Sequence, residues 1–469
     1  MSLLSRNRDI EHWDAEDVAA WDAGNKDIAK RNLIWSIFAE HVGFSVWSIW
    51  SVMVLFMPQA VYGIDALGKF VLGAVPIAVG AFMRIPYTIG PAKFGGRNFT
   101  IFSALMLAVP CALTMYFMMH PGTSYTTFLI VAAVAGFGGG NFASSMTNIN
   151  AFYPQRLKGW ALGINAGGGN LGVPAIQVVG LLVIAVAGNR APYWVCAIYL
   201  VLLAVAAVGA ALFMNNLAQH RIDSSAMRSI LTVSDTWIIA FLYIGTFGSF
   251  IGFSFAFSQI LQINFVAGGQ NAAQAALHAA QIAFVGPLLG SVARVYGGKL
   301  ADRIGGGRVT MAAFTGMILF GALLISASTY HDRTGGAVDA ATMTCFIVGF
   351  VALFVLSGVG NGSVYKMIPS IFEARSHSLV GSETDRQNWS RGMSGALIGF
   401  AGAIGALGGV GINLALRQSY LSSGSATAAF WVFVTFYVAA LTLTWFRYVR
   451  TPLATVPAVR HAEAAVSVA

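Results

Sequence analysis

Twelve stretches of this chain are apolar all the way around a helical wheel, and each is long enough to cross a lipid bilayer. A hydrocarbon core about 30 Å thick takes about 20 residues rising about 1.5 Å each. Segments that fit fall near residues 34 to 57, 68 to 91, 98 to 119, 125 to 151, 158 to 187, 192 to 214, 236 to 262, 276 to 299, 308 to 328, 341 to 371, 391 to 416 and 428 to 447. The stretch 192 to 214, PYWVCAIYLVLLAVAAVGAALFM, lacks the polar stripe of a soluble amphipathic helix, and runs of this length are too long for strands. The pattern predicts an all-α integral membrane protein. It has a polar tail over 1–31, six spans within 32–214, a linker over 215–235, six more spans within 236–450 and a second tail over 451–469.

Composition sharpens this picture. Of 469 residues, 57% are hydrophobic and only 10% are charged, against about a quarter charged in soluble domains, so a large soluble enzyme is excluded. The net charge of +9 would suggest nucleic acid if the chain were soluble. The placement of the cations says otherwise. Of 27 Lys and Arg, 21 fall in the tails and the even-numbered loops, among them Arg6, Arg31, Lys93, Arg97, Arg156, Lys158, Arg221, Arg375, Arg447 and Arg460. Only Lys69, Arg190, Arg333 and Arg417 fall in the odd-numbered loops. The positive-inside rule therefore orients both termini to the cytoplasm, in a cytoplasmic (inner) membrane. The first tail mixes Asp9, Glu11 and Asp14 with Arg6 and Arg8 and has no apolar run, so it reads as a cytosolic tail and not a signal peptide. No nucleic-acid partner is implied. Membrane lipid is the surrounding medium, and a monomer is expected.

Cofactor chemistry finds no footing. Cys111, Cys196 and Cys345 sit inside spans without metal spacing, and no HExxH occurs. Only His41 and His278 lie in or near spans, too few for the bis-His haem pairs of a membrane reductase subunit. The expectation is a protein that is not an enzyme and binds no cofactor or metal.

The chain repeats itself. Residues 84 to 100 read RIPYTIGPAKFGGRNFT and residues 294 to 310 read RVYGGKLADRIGGGRVT. An offset of 210 superposes Arg84 on Arg294, Lys93 on Arg303 and Gly95-Gly96 on Gly305-Gly306. Two six-span halves in the same orientation, joined by a linker, suit a secondary transporter that rocks about a site between the halves. The second copy, GGKLADRIGGGR at 297 to 308, resembles the cytoplasmic loop signature of the major facilitator superfamily. That resemblance implies that Asp302, beside Arg303, helps lock a closed cytoplasmic gate by pairing with a helix terminus and a nearby Arg. The first copy has Ala92 in place of the acid.

Arg84 and Arg294 are the two remaining cations. Each lies about ten residues from its Gly-Gly turn, about 15 Å of helix and near the midplane. A cation there costs at least about 2.5 kcal/mol unless it faces a cavity or a counter-charge. Glu40 is the one acid within the expected spans, so the symmetric pair predicts a site for a bound anion. Guanidinium forks favour a small planar oxyanion with coplanar oxygens. Polar residues recur nearby in GFGGGNFASSMTNINAFYP (136 to 154) and KGWALGINAGGGNLGVP (158 to 174), where Asn141, Ser144, Asn148, Asn165 and Asn170 need partners or water. Glycine-rich runs also mark GVGNGSVYKMIPSIF (358 to 372) and SGALIGFAGAIGALGG (394 to 409), and glycine faces let helices approach closely.

The GNFASSMTNI and ALGINAGGGNLGV stretches resemble the two signature motifs of the nitrate/nitrite porter family within the major facilitator superfamily, and the likeness extends over all twelve spans. It implies that Arg84 and Arg294 bind the nitrate or nitrite oxygens, with Asn170, Tyr243, Phe142 and Phe247 completing the site. Gly167, Gly169, Gly402, Gly405 and Phe44 are expected to serve gating or conformational change. Ala166 stands where some members have Gly, which bears on helix flexibility. Exchange of nitrate for nitrite by rocker-switch alternating access is the expected mechanism. Proton-coupled nitrate symport and nitrite export stay open, because Glu40-His41 in the first span could carry a proton. The competing reading of that pair places it near the cytoplasmic helix end, against cations of the gate.

Overall fold

The computed structural model describes residues 8–188, 191–218, 224–335, 338–380 and 382–450. Arg6, Arg190, Arg221, Arg460 and the expected tail beyond 450 lie outside the described residues. Twelve helices among the described residues are long and apolar enough to span a membrane. They are α1 (Val18–Phe56), α2 (Ala66–Phe94), α3 (Gly96–Met118), α4 (Tyr125–Phe152), α5 (Arg156–Ala187), α6 (Tyr193–Phe213), α7 (Ser234–Ala267), α8 (Ala272–Ile304), α9 (Gly306–Thr334), α10 (Ala340–Ser376), α11 (Asp385–Ser423) and α12 (Thr427–Val449). Leu319, Val201 and Trp431 are among the large apolar side chains left exposed on the flanks, as a lipid-facing surface requires. The protein is a multi-pass membrane protein with two pseudo-symmetric six-helix halves.

Two boundaries depart from the sequence pattern. The first helix starts at Val18, about four turns early, and passes through a π turn at Trp21–Asn25 where Gly24 takes φ 153°. Hydropathy misses this part because its few apolar side chains pack on protein: Trp21 lies edge-on to Tyr153 at 5.7 Å, and Trp13, just before the helix, lies edge-on to Phe152 at 5.2 Å. The described end of the polar tail is also tied into the fold. Asp9–Ile10 pairs in parallel with Asn216–Leu217 at the start of the linker, a two-stranded ladder that hydropathy cannot register.

The repeated Gly-Gly turns have a common backbone reason. Gly95 has φ 85° and Gly305 φ 93°; each caps the helix before it and opens the next one a residue later. Side-chain-bearing residues rarely adopt this conformation, so the tight α2–α3 and α8–α9 corners need glycine. At the first corner Asn216 of the linker packs against Gly95 and accepts from the Asn98 amide at 3.2 Å.

The corners, the linker and the ends of α4 and α10 gather the cations at one end of the bundle, called here the basic end. An acid buried there was not anticipated as part of the fold. Asp235, at the start of α7, is fully buried and accepts from Arg375 of α10 at 2.5 Å, Arg447 of α12 at 3.0 Å and Tyr448 at 3.1 Å. It ties three helices of the second half together.

At the opposite, distal end the halves close on one another. Gln177 of α5 donates to the Ser254 carbonyl at 3.0 Å, Ser258 of α7 to the Ser51 carbonyl at 2.9 Å, and Gln259 to the Ala66 carbonyl. Phe70 of α2 stacks on Tyr420 of α11 at 5.9 Å. Towards the basic end the halves part around a cavity of about 590 Å³. The structure is therefore open at the basic end and sealed at the distal end.

Candidate functional site

The cavity runs from Lys158, Lys366, Glu383 and Arg391 at its mouth to Arg84 and Phe142 at its apex. Arg84 sits on α2, 1% exposed. Its Nε donates to the Gly139 carbonyl at 3.2 Å and its Nη1 to the Gly402 carbonyl at 2.8 Å, while Nη2 has no partner. Gly402 gives this contact room, because a Cβ there would lie 2.8 Å from Nη1 and push the guanidinium aside. Arg294 on α8, 6% exposed, is reached from Tyr243, whose hydroxyl accepts from Nη2 at 3.4 Å; its Nη1 is unpartnered. Neither arginine has a carboxylate within ion-pair distance among the described residues.

Both guanidiniums lie over the same ring, at 4.9 Å and 5.6 Å from the centre of Phe142. Arg84 also lies 4.7 Å from the centre of Phe247 and 5.7 Å from that of Trp47, and Arg294 lies 5.3 Å from that of Tyr365. Tyr243 stacks on Phe247 at 5.2 Å and tilts against Tyr365 at 5.8 Å. These rings hold the cations through their negative faces, at about 0.5 to 2 kcal/mol each, without removing an N–H donor. The repeat in the sequence thus becomes one constellation: an arginine from each half, in an aromatic cage, with one free donor group on each.

The other expected site residues are distributed unevenly. Tyr243, Phe142 and Phe247 belong to the cage. Asn170 is fully buried on α5 with both amide atoms unpartnered, a polar group left available in the interior. Phe44 lies behind the cage, stacked on Phe142 at 6.1 Å. Gly405 lets α11 pack on the Tyr243 ring, and Gly167 faces Val295 of α8 across the two halves. Ala166 is buried. Asn141 and Asn148 pack against Gly43 and Gly96, Ser144 donates back to its own helix at the Asn141 carbonyl, and Asn165 donates to Glu40. The three asparagines join helix to helix, and none of the four is part of the cage.

Glu40 does not meet the gate cations, as one reading of Glu40-His41 had it. It is 1% exposed and turned into the first half, where Oε2 accepts from Asn165 at 2.8 Å. His41 is half-buried, with Nδ1 3.1 Å from the Gly168 carbonyl. Gly169 makes room for the acid, since a Cβ there would lie 2.1 Å from Oε1. Asp302 pairs with Lys366 of α10 at 2.8 Å, a cation of the same half, which fits a basic end that stands open; Arg303 beside it is exposed.

Sequence reading did not single out Trp47, Tyr365 or Asn361. The last is fully buried with both amide atoms unpartnered. The only signal for Tyr365 and Asn361 was the glycine run GVGNGSVYK, which marks close packing but not what the packing surrounds.

The chain resembles characterised proteins along nearly its whole length. The profile of the Major Facilitator Superfamily matches residues 42–382. The nitrate/nitrite transporter NarU of Salmonella typhimurium is 35% identical over 463 residues, covering 94% of this chain and 96% of that protein. The NarU of Escherichia coli is 34% identical with the same coverage, and the probable nitrate/nitrite antiporter NarK2 of Thermus thermophilus is 32% identical, again covering 94% and 96%. Among solved structures, the nucleoside transporter NupG shares the fold, with a TM-score of 0.59 at 11% identity, over 89% of this chain and 99% of that one. With the duplicated corners, the twelve helices and the paired arginines, these likenesses settle the family: the chain belongs to the nitrate/nitrite porter family of the major facilitator superfamily.

Proposed function

We propose that the protein carries nitrate and nitrite across a cytoplasmic membrane and exchanges one for the other by alternating access. Both termini and the basic end face the cytoplasm in this reading. The observation that carries it is the pair Arg84 and Arg294, each buried, each without an acid partner and each with one free guanidinium nitrogen. A monovalent oxyanion between them satisfies those donors and offsets charge that burial makes expensive. Buried guanidinium donors left without an anion resist closure of the halves, so the loaded carrier reorients more readily than the empty one. Exchange of two monovalent anions moves no net charge, whereas anion uniport inward opposes a potential worth about 2.3 kcal/mol per 100 mV.

Arg84 and Arg294 hold the anion oxygens, Asn170 adds a donor, and the rings of Phe142, Phe247 and Tyr243 limit its size. Asp302 and Arg303 belong to the gate that forms when the basic end closes. The test is counterflow in proteoliposomes with equal pH on both sides. Vesicles loaded with nitrite take up labelled nitrate; uptake no faster than into empty vesicles overturns exchange.

A further inference from the structure

Glu40 is a buried carboxyl of the membrane interior that the arginine site does not use. Its carboxyl is buried on α1, in contact with two neighbouring helices. Asn165 of α5 donates to Oε2 at 2.8 Å and to the hydroxyl of Ser145 on α4 at 2.6 Å, and Ser145 also lies 2.9 Å from the Ser36 hydroxyl. The other oxygen, Oε1, has no hydrogen-bond partner and points into the space that Gly169 leaves by having no side chain. An ionised carboxylate with one bare oxygen in a dry interior is costly unless nearby cations offset its charge, and a proton is the smallest group that removes the cost once those cations are neutralised.

This pocket adjoins the anion site. Gly169 immediately precedes Asn170 in the chain, and the charges of Arg84 and Arg294 both act on Glu40. Met146 and Leu162, which line the cavity, lie next to Ser145 on α4 and one turn from Asn165 on α5. Asn165, whose amide holds Oε2, lies 3.6 Å from the sulfur of Met146 in the cavity wall, so these two side chains link the carboxyl to the cavity. The titratable and charged groups near it are His41 on its own helix, Arg84 of α2, Arg294 of α8 and Tyr365 of α10; Asn165, Ser145 and Ser36 are its neutral neighbours.

Resting on the reading of Arg84 and Arg294 as the anion site, we propose that Glu40 is a proton-binding site linked to that anion site, taking up a proton as the anion binds and releasing it as the anion leaves. With the site empty, the carboxylate offsets one of the two guanidinium charges. An arriving nitrate or nitrite takes over that role and repels the carboxylate. A proton drawn from water in the cavity onto the Oε1 lone pair removes the repulsion. Site and carboxyl together then carry the same charge empty and deprotonated as they do loaded and protonated. By reciprocity, anything that protonates Glu40 tightens anion binding.

Equilibrium nitrite binding to the purified full-length protein across about pH 4 to 9 tests this, a range that spans carboxyl and imidazole titration. The expected result is affinity that weakens as pH rises, by up to about tenfold per pH unit where the carboxyl titrates. Glu40→Gln is expected to bind with an affinity that is flat in pH, while His41→Gln keeps the slope. Nitrite added to weakly buffered wild-type protein is expected to withdraw protons from solution, a measurement that needs no variant. A wild-type profile without slope, a slope that persists in Glu40→Gln, or no proton uptake overturns the linkage. Failure of the underlying site looks different: Arg84→Lys then binds nitrite as wild type does.

Discussion

Arg84 uses Nε and Nη1 on two backbone carbonyls and keeps Nη2 free, which makes it both a strut between α2 and α11 and a donor at the cavity apex. A lysine keeps the charge but cannot bridge Gly139 and Gly402 while still presenting a second planar donor. Arg84→Lys and Arg294→Lys are therefore expected to weaken nitrate binding by at least about tenfold, the loss of roughly one charge-assisted hydrogen bond. Binding of nitrate to detergent-purified protein checks this, with wild-type affinity in either variant counting against the clamp. Asn170→Ala removes two unpartnered amide atoms and is expected to cost about 1.5 to 3 kcal/mol of binding with little loss of thermal stability. Phe142→Ala exposes both guanidiniums and is expected to loosen discrimination among anions, read as competition by larger oxyanions. At this scale the arginines were legible because a midplane cation is rare in any sequence. Tyr365 and Trp47 were not, because one aromatic among many in an apolar chain looks like packing until its ring is seen beside a guanidinium.

At the scale of the element, the helices follow from hydropathy and their corners from glycine. Gly305 at φ 93° meets no neighbour that a Cβ would strike, so Gly305→Ala isolates the backbone term, about 1 to 3 kcal/mol. Gly95→Ala adds a collision with the Asn216 side chain 2.2 Å from the new Cβ and is expected to lower the unfolding temperature further. Thermal unfolding of the two variants side by side checks the order. Asp235→Asn leaves Arg375 and Arg447 without their acid at the junction of α7, α10 and α12; a loss on the order of 3 kcal/mol is expected, reduced to the extent that water reaches the two half-exposed arginines. Hydropathy alone placed Asp235 at the end of the linker and counted Arg375 and Arg447 as orientation signals. Which charges pair within a basic cluster depends on where three helix ends meet, and no spacing along the chain encodes that meeting.

For the whole molecule, the sealed distal end and the open basic end match one arm of the proposed alternating cycle. Gly395 lines the cavity on α11 with open space beside it. In a background lacking the three native cysteines, Gly395→Cys is expected to react with a membrane-impermeant maleimide added from the basic side. Saturating nitrite is expected to change the rate, because a loaded carrier visits the closed arm. Labelling only from the distal side would show that the resting carrier opens at that end instead. Counterflow belongs to this scale as well, since it reports the motion of both halves together.

The sequence alone determined the number of spans, the duplication, the family and the two cations on which the proposed function rests. Each is a local or periodic property: a run of apolar residues set by bilayer thickness, a motif repeated at an offset of 210, a charge where lipid does not tolerate one. Tertiary structure decided the rest, because helices distant in sequence must pack before the remaining features exist. It brought both arginines over the one Phe142 ring, turned Glu40 away from the gate into a pocket opened by Gly169, joined the polar tail to the linker, and set which end of the bundle is closed. Burial gives those contacts their energy, and burial is a property of the packed whole.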